Sequence, residues 1–204
     1  LRTQAARVYQ SDEPSFVEKL AAKFVGRWRS GCPLALSPDK DNPELVKNWR
    51  TNNHFSYADD PQGAKCPIGS HIRRMNPRDA IDHVPAHTHR IVRRGLPYGK
   101  QLPEGADDDG TERGVAFMAI NASIEHQFEV LQKDWANRGD FAGLDAEDVD
   151  PIVGERKEGA RFRLLDAHDK PKRMTLERFV TLRGGGYFFI PSLSALRDLA
   201  AGTA

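Results

Sequence analysis

One histidine, His71, stands directly before a series of arginines in the segment CPIGSHIRRMNPRD, residues 66–79. Two more arginines, Arg93 and Arg94, follow in the segment IVRRGLPYG. A neutral imidazole is a strong ligand for iron, and the planar guanidinium group suits carboxylates and phosphates. Haem b needs both kinds of group, because its iron has a vacant axial position and its porphyrin carries propionate carboxylates. The combination therefore favours a haem site.

Plainer interpretations of these residues stay open. A single histidine is often an ordinary core or surface residue, and a series of arginines is often a solvated charged segment. Prolines separate these arginines into distinct turns, since Pro77 precedes Arg78 and Pro97 follows Arg94. We favour ligand-binding arginines for that reason.

A second candidate ligand set lies in the segment HVPAHTH, where His83, His87 and His89 are close in sequence. Together they could bind a metal ion such as zinc. Pro85 disfavours a regular helix that would bring His83 and His87 onto one face, and no fourth ligand is evident. Metal binding without haem is therefore the minor alternative.

The overall composition is that of an ordinary globular protein of 204 residues. Its 30 Lys and Arg residues nearly balance 29 Asp and Glu residues, so charge gives no reason to expect nucleic acid or a membrane surface as a partner. No apolar run reaches the roughly 18 residues that span a bilayer. Cys32 and Cys66 have no second cysteine at metal-ligand spacing and fit a reducing environment. We therefore expect a cytoplasmic protein.

The elements that must position these residues can be predicted from apolar spacing. Apolar residues at every fourth position predict an amphipathic helix over residues 15–28, with Phe16, Leu20, Phe24 and Trp28 on its buried face. Residues 30–62 are rich in Pro, Asp, Asn and Gly, which predicts an irregular segment with one short helix near residues 45–49. Residues 99–110 predict a further loop.

The second half of the chain predicts strands as well as helices. The run GVAFMAI, residues 114–120, has the length of a strand, and residues 123–135 then show helical spacing. Near the C-terminus we expect a strand around residues 179–181, distorted by the glycines at 184–186, and a short helix capped by Ser192 or Ser194. The fold class is therefore mixed α+β with long loops, and the loops are expected to carry the chemistry.

Four segments together resemble the C-terminal half of dye-decolorising peroxidases, in particular the longer fungal-like branch. They are CPIGSHIRRMNPRD, HRIVRRGLPYG, GVAFMAINASIEHQFEVLQKDWAN and FVTLRGGGYFFIPSL, and GRWRSGCPLALSP fits the same pattern. The resemblance covers most of the chain. It implies a ferredoxin-like α+β fold of the dimeric α+β barrel type, a haem b cofactor, and use of hydrogen peroxide to oxidise dyes, phenols or similar organic electron donors.

The resemblance assigns roles to polar residues of this chain. His71 matches the proximal haem ligand, Arg93 matches the distal arginine, and Arg78 matches a propionate-binding arginine. In the family an aspartate orients the proximal imidazole through its second nitrogen, which raises the basicity of the ligand. Asp150, in DPIVG, is the candidate for that role.

Apolar and aromatic residues can be matched in the same way. Val115 and Phe117 fall where the family lines the distal face with apolar side chains. Tyr98 and Trp135 fall where some members carry radical-bearing surface aromatics. The alternative for Trp135, that it only completes the buried stripe of the helix, carries at least equal weight.

The family's distal aspartate lies in a GxxDG motif, and this sequence has none. Cleavage of the O–O bond needs a group that moves a proton, and an arginine cannot act as a base near neutral pH. We therefore expect residues 1–204 to form the C-terminal haem-binding domain of a larger peroxidase whose N-terminal half carries that aspartate. Its partner is expected to be that half, or a second copy by self-association. The alternative function is a non-enzymatic module for haem storage, transfer or sensing.

Overall fold

The computed structural model describes residues 2–11, 13–81, 85–103, 106–155, 160–166, 168 and 170–203. The helices are α1 (Arg2–Tyr9), α2 (Pro14–Val25), α3 (Pro43–Lys47), α4 (His71–Met75) and α5 (Leu193–Ala201). The strands are β1 (Val92–Tyr98), β2 (Gly114–Ile120), β3 (Arg161–Leu165) and β4 (Pro171–Thr175). Two π-helical segments, Glu125–Glu129 and Leu131–Ala136, lie where a helix was predicted, and 3₁₀ turns occur at Ala86–His89 and Phe141–Gly143.

Helix α2 buries the face that the apolar spacing predicts, but it ends before Trp28. Pro14 starts the helix, where its missing N–H costs nothing. Gly26 ends it with a left-handed φ of 93°, and its N–H donates to the carbonyl of Ala22. Trp28 lies beyond this turn, where its Nε1 donates to the carbonyl of Ser37 at 2.7 Å. The predicted helix was therefore too long at its C-terminal end.

The described strands form two separate antiparallel pairs, β1 with β2 and β3 with β4. The strand predicted at residues 114–120 is confirmed as β2, and its register pairs Val92 with Ile120 and Tyr98 with Gly114. The sequence did not predict β1, because Gly95 and Pro97 interrupt its alternation. The β3–β4 pair was also missed.

The predicted short helix near residues 45–49 is confirmed as α3, although it ends at Lys47. The predicted C-terminal helix is confirmed as α5, and the Oγ of Ser192 accepts a hydrogen bond from the N–H of Ala195. The strand expected around residues 179–181 is wrong, since residues 176–192 form neither helix nor strand. A strand needs a partner for its backbone groups, and none of the described strands pairs with this segment.

Three clusters of buried apolar side chains form the core of the described chain. The first joins α1 and α2 to β3, the second surrounds Trp28 and Tyr57, and the third surrounds Trp135 and Phe141. Helix α4 contacts both α2 and the second π-helical segment. The helix that begins with His71 is therefore held by packed neighbours. Among the described residues, no helix is both long and apolar enough to cross a membrane.

Candidate functional site

His71 is hydrogen-bonded to a fully buried carboxylate. Its Nδ1 lies 3.0 Å from Oδ2 and 3.2 Å from Oδ1 of Asp150. The side chain of His71 is 29% exposed, whereas that of Asp150 is 0% exposed. Because a carboxylate only accepts hydrogen bonds, Nδ1 is the nitrogen that carries the proton. The lone pair of Nε2 is then free to bind a ligand.

Asp150 is held in its ionised form by the groups around it. Its Oδ1 also accepts from the backbone N–H groups of Ile152 at 2.8 Å and Val153 at 2.9 Å. Burial alone would raise the pKa of Asp150, but the hydrogen bond from His71 and these two N–H groups hold that pKa below its usual range. The backbone N–H of Asp150 donates to the carbonyl of Ala136 at 2.8 Å, which fixes the segment that carries the carboxylate.

Local packing fixes the start of α4, where His71 lies. The Oγ of Ser70 donates to the carbonyl of Lys23 at 2.5 Å, which joins the N-terminus of α4 to α2. The carbonyl of Ser70 in turn accepts from the N–H of Arg74 at 2.9 Å. A Cβ atom on Gly69 would lie 3.3 Å from the ring of Phe162, so β3 packs closely against this turn.

The first arginine after His71 points into the protein interior. Arg73 is 2% exposed, and its Nη1 forms an ion pair with Oδ2 of Asp60 at 3.0 Å and donates to the carbonyl of Cys66 at 2.7 Å. Its guanidinium also lies 4.4 Å from the centre of the Tyr57 ring. These contacts leave Arg73 bound to the loop that precedes α4.

Arg74 is buried on the other side of α4. Its Nη1 donates to the carbonyls of Trp135 at 2.7 Å and Arg138 at 3.1 Å, and its Nη2 donates to the carbonyl of Asp148 at 2.7 Å. Burial lowers its pKa to about 10, while the charges of Asp150 and Asp148 act in the opposite direction. Two of the three arginines that follow His71 are therefore interior anchors, which the sequence did not reveal.

Arg78 lies over an aromatic ring. Its guanidinium carbon is 3.8 Å from the centre of the Phe55 ring. Its Nη1 donates to the carbonyls of Asn53 at 3.0 Å and Phe55 at 3.2 Å, and its backbone has a left-handed φ of 56°. Partial burial lowers its pKa, first of all through desolvation, yet the group stays cationic near neutral pH. The cation is thus held rigidly on the surface of the second core cluster.

The three predicted residues of the distal face share one face of the β1–β2 hairpin. Arg93 pairs with Ala119, Gly95 pairs with Phe117, and Pro97 pairs with Val115. Cross-strand partners and alternate residues of one strand project to the same side of a sheet. Arg93, Val115 and Phe117 therefore project together, and Val115 and Phe117 are 60% and 52% exposed. This face is open to solvent in the described chain.

The aromatic candidates behave differently from each other. Trp135 is 5% exposed and packs edge-on against His89 and Phe141. That packing supports the interpretation in which Trp135 completes a buried stripe. Tyr98 is 47% exposed at the end of β1.

The alternative metal site receives no support from the described residues. His83 lies outside them, whereas His87 and His89 lie on a 3₁₀ turn. The Nδ1 of His89 is 2.6 Å from the carbonyl oxygen of His126. Within the described ranges, no group of three or more His, Cys, Asp or Glu side chains is arranged to hold a metal ion.

Comparison with known proteins shows which proteins this chain is similar to. The family model described as Dyp-type peroxidase, C-terminal, matches residues 23–144. The dye-decolorizing peroxidase msp1 of Mycetinis scorodonius is 34% identical over 201 residues, which cover 88% of this chain and 38% of the relative. The multifunctional dye peroxidase DyP2 of an Amycolatopsis species is 34% identical over 202 residues, which cover 89% of this chain and 41% of the relative. The chain thus spans about two fifths of the length of these curated relatives.

Solved structures are similar over nearly the whole chain. The structure of DyP2 from Amycolatopsis has a TM-score of 0.81 at 30% identity and covers 97% of this chain and 45% of that chain. A dye-decolorizing peroxidase in complex with 2,6-dimethoxyphenol has a TM-score of 0.79 at 32% identity and covers 89% of this chain and 42% of that chain. These similarities confirm the predicted fold class, ferredoxin-like α+β with long loops.

Proposed function

The chain belongs to the Dyp-type peroxidase C-terminal family, and from that premise we propose that residues 1–204 form the haem b-binding domain of a peroxidase. The proposed enzyme uses hydrogen peroxide to oxidise dyes, phenols or similar organic donors. The names of the relatives support the reaction, and the bound 2,6-dimethoxyphenol of one structural neighbour supports phenols as donors. A non-enzymatic haem module is less favoured, because those relatives are named as peroxidases.

The hydrogen bond between His71 and Asp150 carries the proposal. The donor set fits a haem iron, since it offers a partly exposed imidazole whose Nδ1 is bonded to a buried carboxylate and whose Nε2 is free. His71 would ligate the iron through Nε2, and Asp150 would keep the proton on Nδ1 and raise the basicity of the ligand. Haem, when bound, supplies the iron that activates peroxide.

Arg93 would contribute through its charge, because a guanidinium cannot exchange a proton near neutral pH. Its fixed donors would stabilise negative charge that develops on the leaving oxygen. Val115 and Phe117 share its face of the hairpin and would present apolar surface to the cofactor there. Arg78 would bind a propionate through charge-assisted hydrogen bonds.

We further propose that the proton is moved by a group outside these 204 residues. Arg93 cannot act as a base near neutral pH, and the sequence has no GxxDG motif. The proposed partner is an N-terminal half that supplies this aspartate, with self-association of the domain as the alternative. Both cysteines are buried free thiols, which supports a reducing, cytoplasmic location.

Hemin titration of the purified chain, followed by its absorption spectrum, tests the proposal. We expect a Soret band typical of histidine-ligated haem in the parent and in the control His87→Ala, and loss of that band in His71→Ala. If His71→Ala binds hemin as well as the parent does, the assignment of the ligand is wrong.

A further inference from the structure

Arg73 and Arg74, which follow His71 on α4, have different hydrogen-bond partners, and only those of Arg74 lie near Asp150, the partner of the proposed iron ligand. We infer that Arg74 is a positioning residue for the pair of His71 and Asp150. Its guanidinium fixes the backbone that carries Asp150 against the helix that carries His71. The inference deepens the proposed function, because its consequence for haem binding rests on ligation by His71.

Arg74 joins α4 to two pieces of backbone that are distant in sequence. Its hydrogen bonds to the carbonyls of Trp135 and Asp148 are both 2.7 Å long, and a third reaches Arg138 at 3.1 Å. The same two pieces are joined to each other, because the N–H of Asp150 donates to the carbonyl of Ala136 at 2.8 Å. One side chain therefore holds the segment that carries Asp150, and the segment to which it is bonded, against the helix of His71.

The charges of Arg74 and Asp150 also compensate each other. Both side chains are 0% exposed, and neither is in water that could screen its charge. The guanidinium donates to neutral carbonyls, and the carboxylates of Asp150 and Asp148 supply opposite charge. Removal of Arg74 would free the backbone beside Asp150 from α4, so Nδ1 of His71 would lose an acceptor that is held in a fixed position.

Arg73 provides a matched comparison on the same helix. It is 2% exposed and also donates to backbone carbonyls, those of Asp60 and Cys66. Its partners precede α4 and do not belong to the segment that carries Asp150. Loss of Arg73 should thus lower the stability of the domain without changing the environment of Nδ1 of His71.

The experiment is ¹⁵N NMR of the histidine side chains in the full 204-residue chain without haem. In the parent, His71 should show the tautomer that carries its proton on Nδ1. In Arg74→Met the His71 signals should shift towards the tautomer with the proton on Nε2, and in Arg73→Met they should match the parent. An equal shift in both variants, or no shift in Arg74→Met, would overturn the inference.

A second pair of variants covers the case in which the Met variants do not fold. Arg74→Lys keeps the charge but cannot bridge three carbonyls, and Arg73→Lys is its control. We expect the tautomer shift in Arg74→Lys alone, and an unchanged tautomer in both Lys variants overturns the inference.

Hemin titration then separates this inference from the proposed function. The dissociation constant of hemin should rise by up to roughly tenfold to a hundredfold in Arg74→Met, the effect of losing the partner of a metal ligand, and stay near the parent value in Arg73→Met. If the parent itself binds no hemin while the tautomer shift is observed, the proposed function is wrong and the positioning role of Arg74 stands.

Discussion

A Cβ atom on Gly26 would lie 2.4 Å from Cγ1 of Ile72, so the end of α2 touches α4 directly beside His71. The φ of Gly26 is also left-handed, at 93°. Close approach and backbone conformation therefore both require glycine at this position.

Gly26→Ala should destabilise the fold by about 2–4 kcal/mol, because backbone strain and overpacking add. The control is Gly31→Ala, whose φ is 95° and whose Cβ would meet only Val46, at 3.7 Å. In that variant only the backbone strain is present, so the free energy of unfolding should fall by about 1–2 kcal/mol. Urea denaturation measures both values, and equal losses would show that contact with Ile72 does not matter.

Arg78→Leu should weaken hemin binding by about tenfold to a hundredfold, because a charge-assisted hydrogen bond contributes roughly 1.5–3 kcal/mol. The spectrum of the histidine-ligated haem should stay unchanged. Arg27 offers a matched control, since its guanidinium lies 5.8 Å from the centre of the same Phe55 ring. Arg27→Leu should leave hemin affinity near the parent value. If both variants lose the same affinity for hemin, the cause is a general disturbance around the Phe55 ring and not the loss of a contact between Arg78 and a propionate.

Arg93→Leu should slow the reaction of the haem-loaded chain with peroxide by about a hundredfold, the usual effect of removing one preorganised donor. Arg94 is its neighbour on β1, pairs with Met118 and projects to the other face of the hairpin. Arg94→Leu should therefore react at the parent rate. Stopped-flow absorption measures both rates, and equal slowing would point to net charge instead of a directed donor.

Addition of an N-terminal half that carries the GxxDG aspartate should accelerate the same reaction by a further factor of roughly 10² to 10⁴. The same half with that aspartate changed to Asn should not. If the chain alone already reacts as fast as the reconstituted pair, a residue within these 204 serves as the base.

Lys23 should make stability depend on pH above neutrality. Its ammonium is buried, it donates to the carbonyls of Ala64 and Lys65, and desolvation lowers its pKa from 10.5 to about 8. Between these values the unfolded chain binds more protons than the folded chain, so this contribution to the free energy of unfolding rises with pH from about 8 to about 10.5.

The Lys23 contribution can be isolated by comparison with Lys23→Met. Burial of the Cys66 thiol raises its pKa to about 11, and the charge of Lys23 acts in the opposite direction, so both proteins of the comparison should also carry Cys66→Ala. The parent should therefore gain stability relative to the variant, on the order of 3 kcal/mol across the window. Parallel curves of unfolding free energy against pH would contradict the shifted pKa of Lys23.

Local pattern predicted the parts of this fold that depend on nearby residues. The buried face of α2, strand β2 and the Ser192 cap follow from periodicity and capping chemistry. The orientation of Arg73 and Arg74 does not, because Arg74 binds carbonyls 61 to 74 residues away in sequence. An arginine that follows a histidine in sequence can face a ligand or the core. Only contacts with distant parts of the chain show which orientation it adopts.

Strand β1 shows the same limit. Its residues contain Gly95 and Pro97 and are all exposed, so neither burial nor alternation marks them as a strand. The hairpin is defined by antiparallel backbone pairing of β1 with β2. The family resemblance had grouped Arg93 with Val115 and Phe117, and the register of the hairpin gives that grouping a geometric basis.

Within the described residues, β1 and β2 pair only with each other, and most of their side chains are exposed. A two-stranded sheet of this kind offers unpaired N–H and C=O groups along both outer edges. These edges can pair with the strand that covers them in the native fold or with a strand of another copy of the chain. Which of the two pairings forms first during synthesis would then decide between correct folding and aggregation. Expression together with a complementary segment should raise the soluble yield more than a lower growth temperature does.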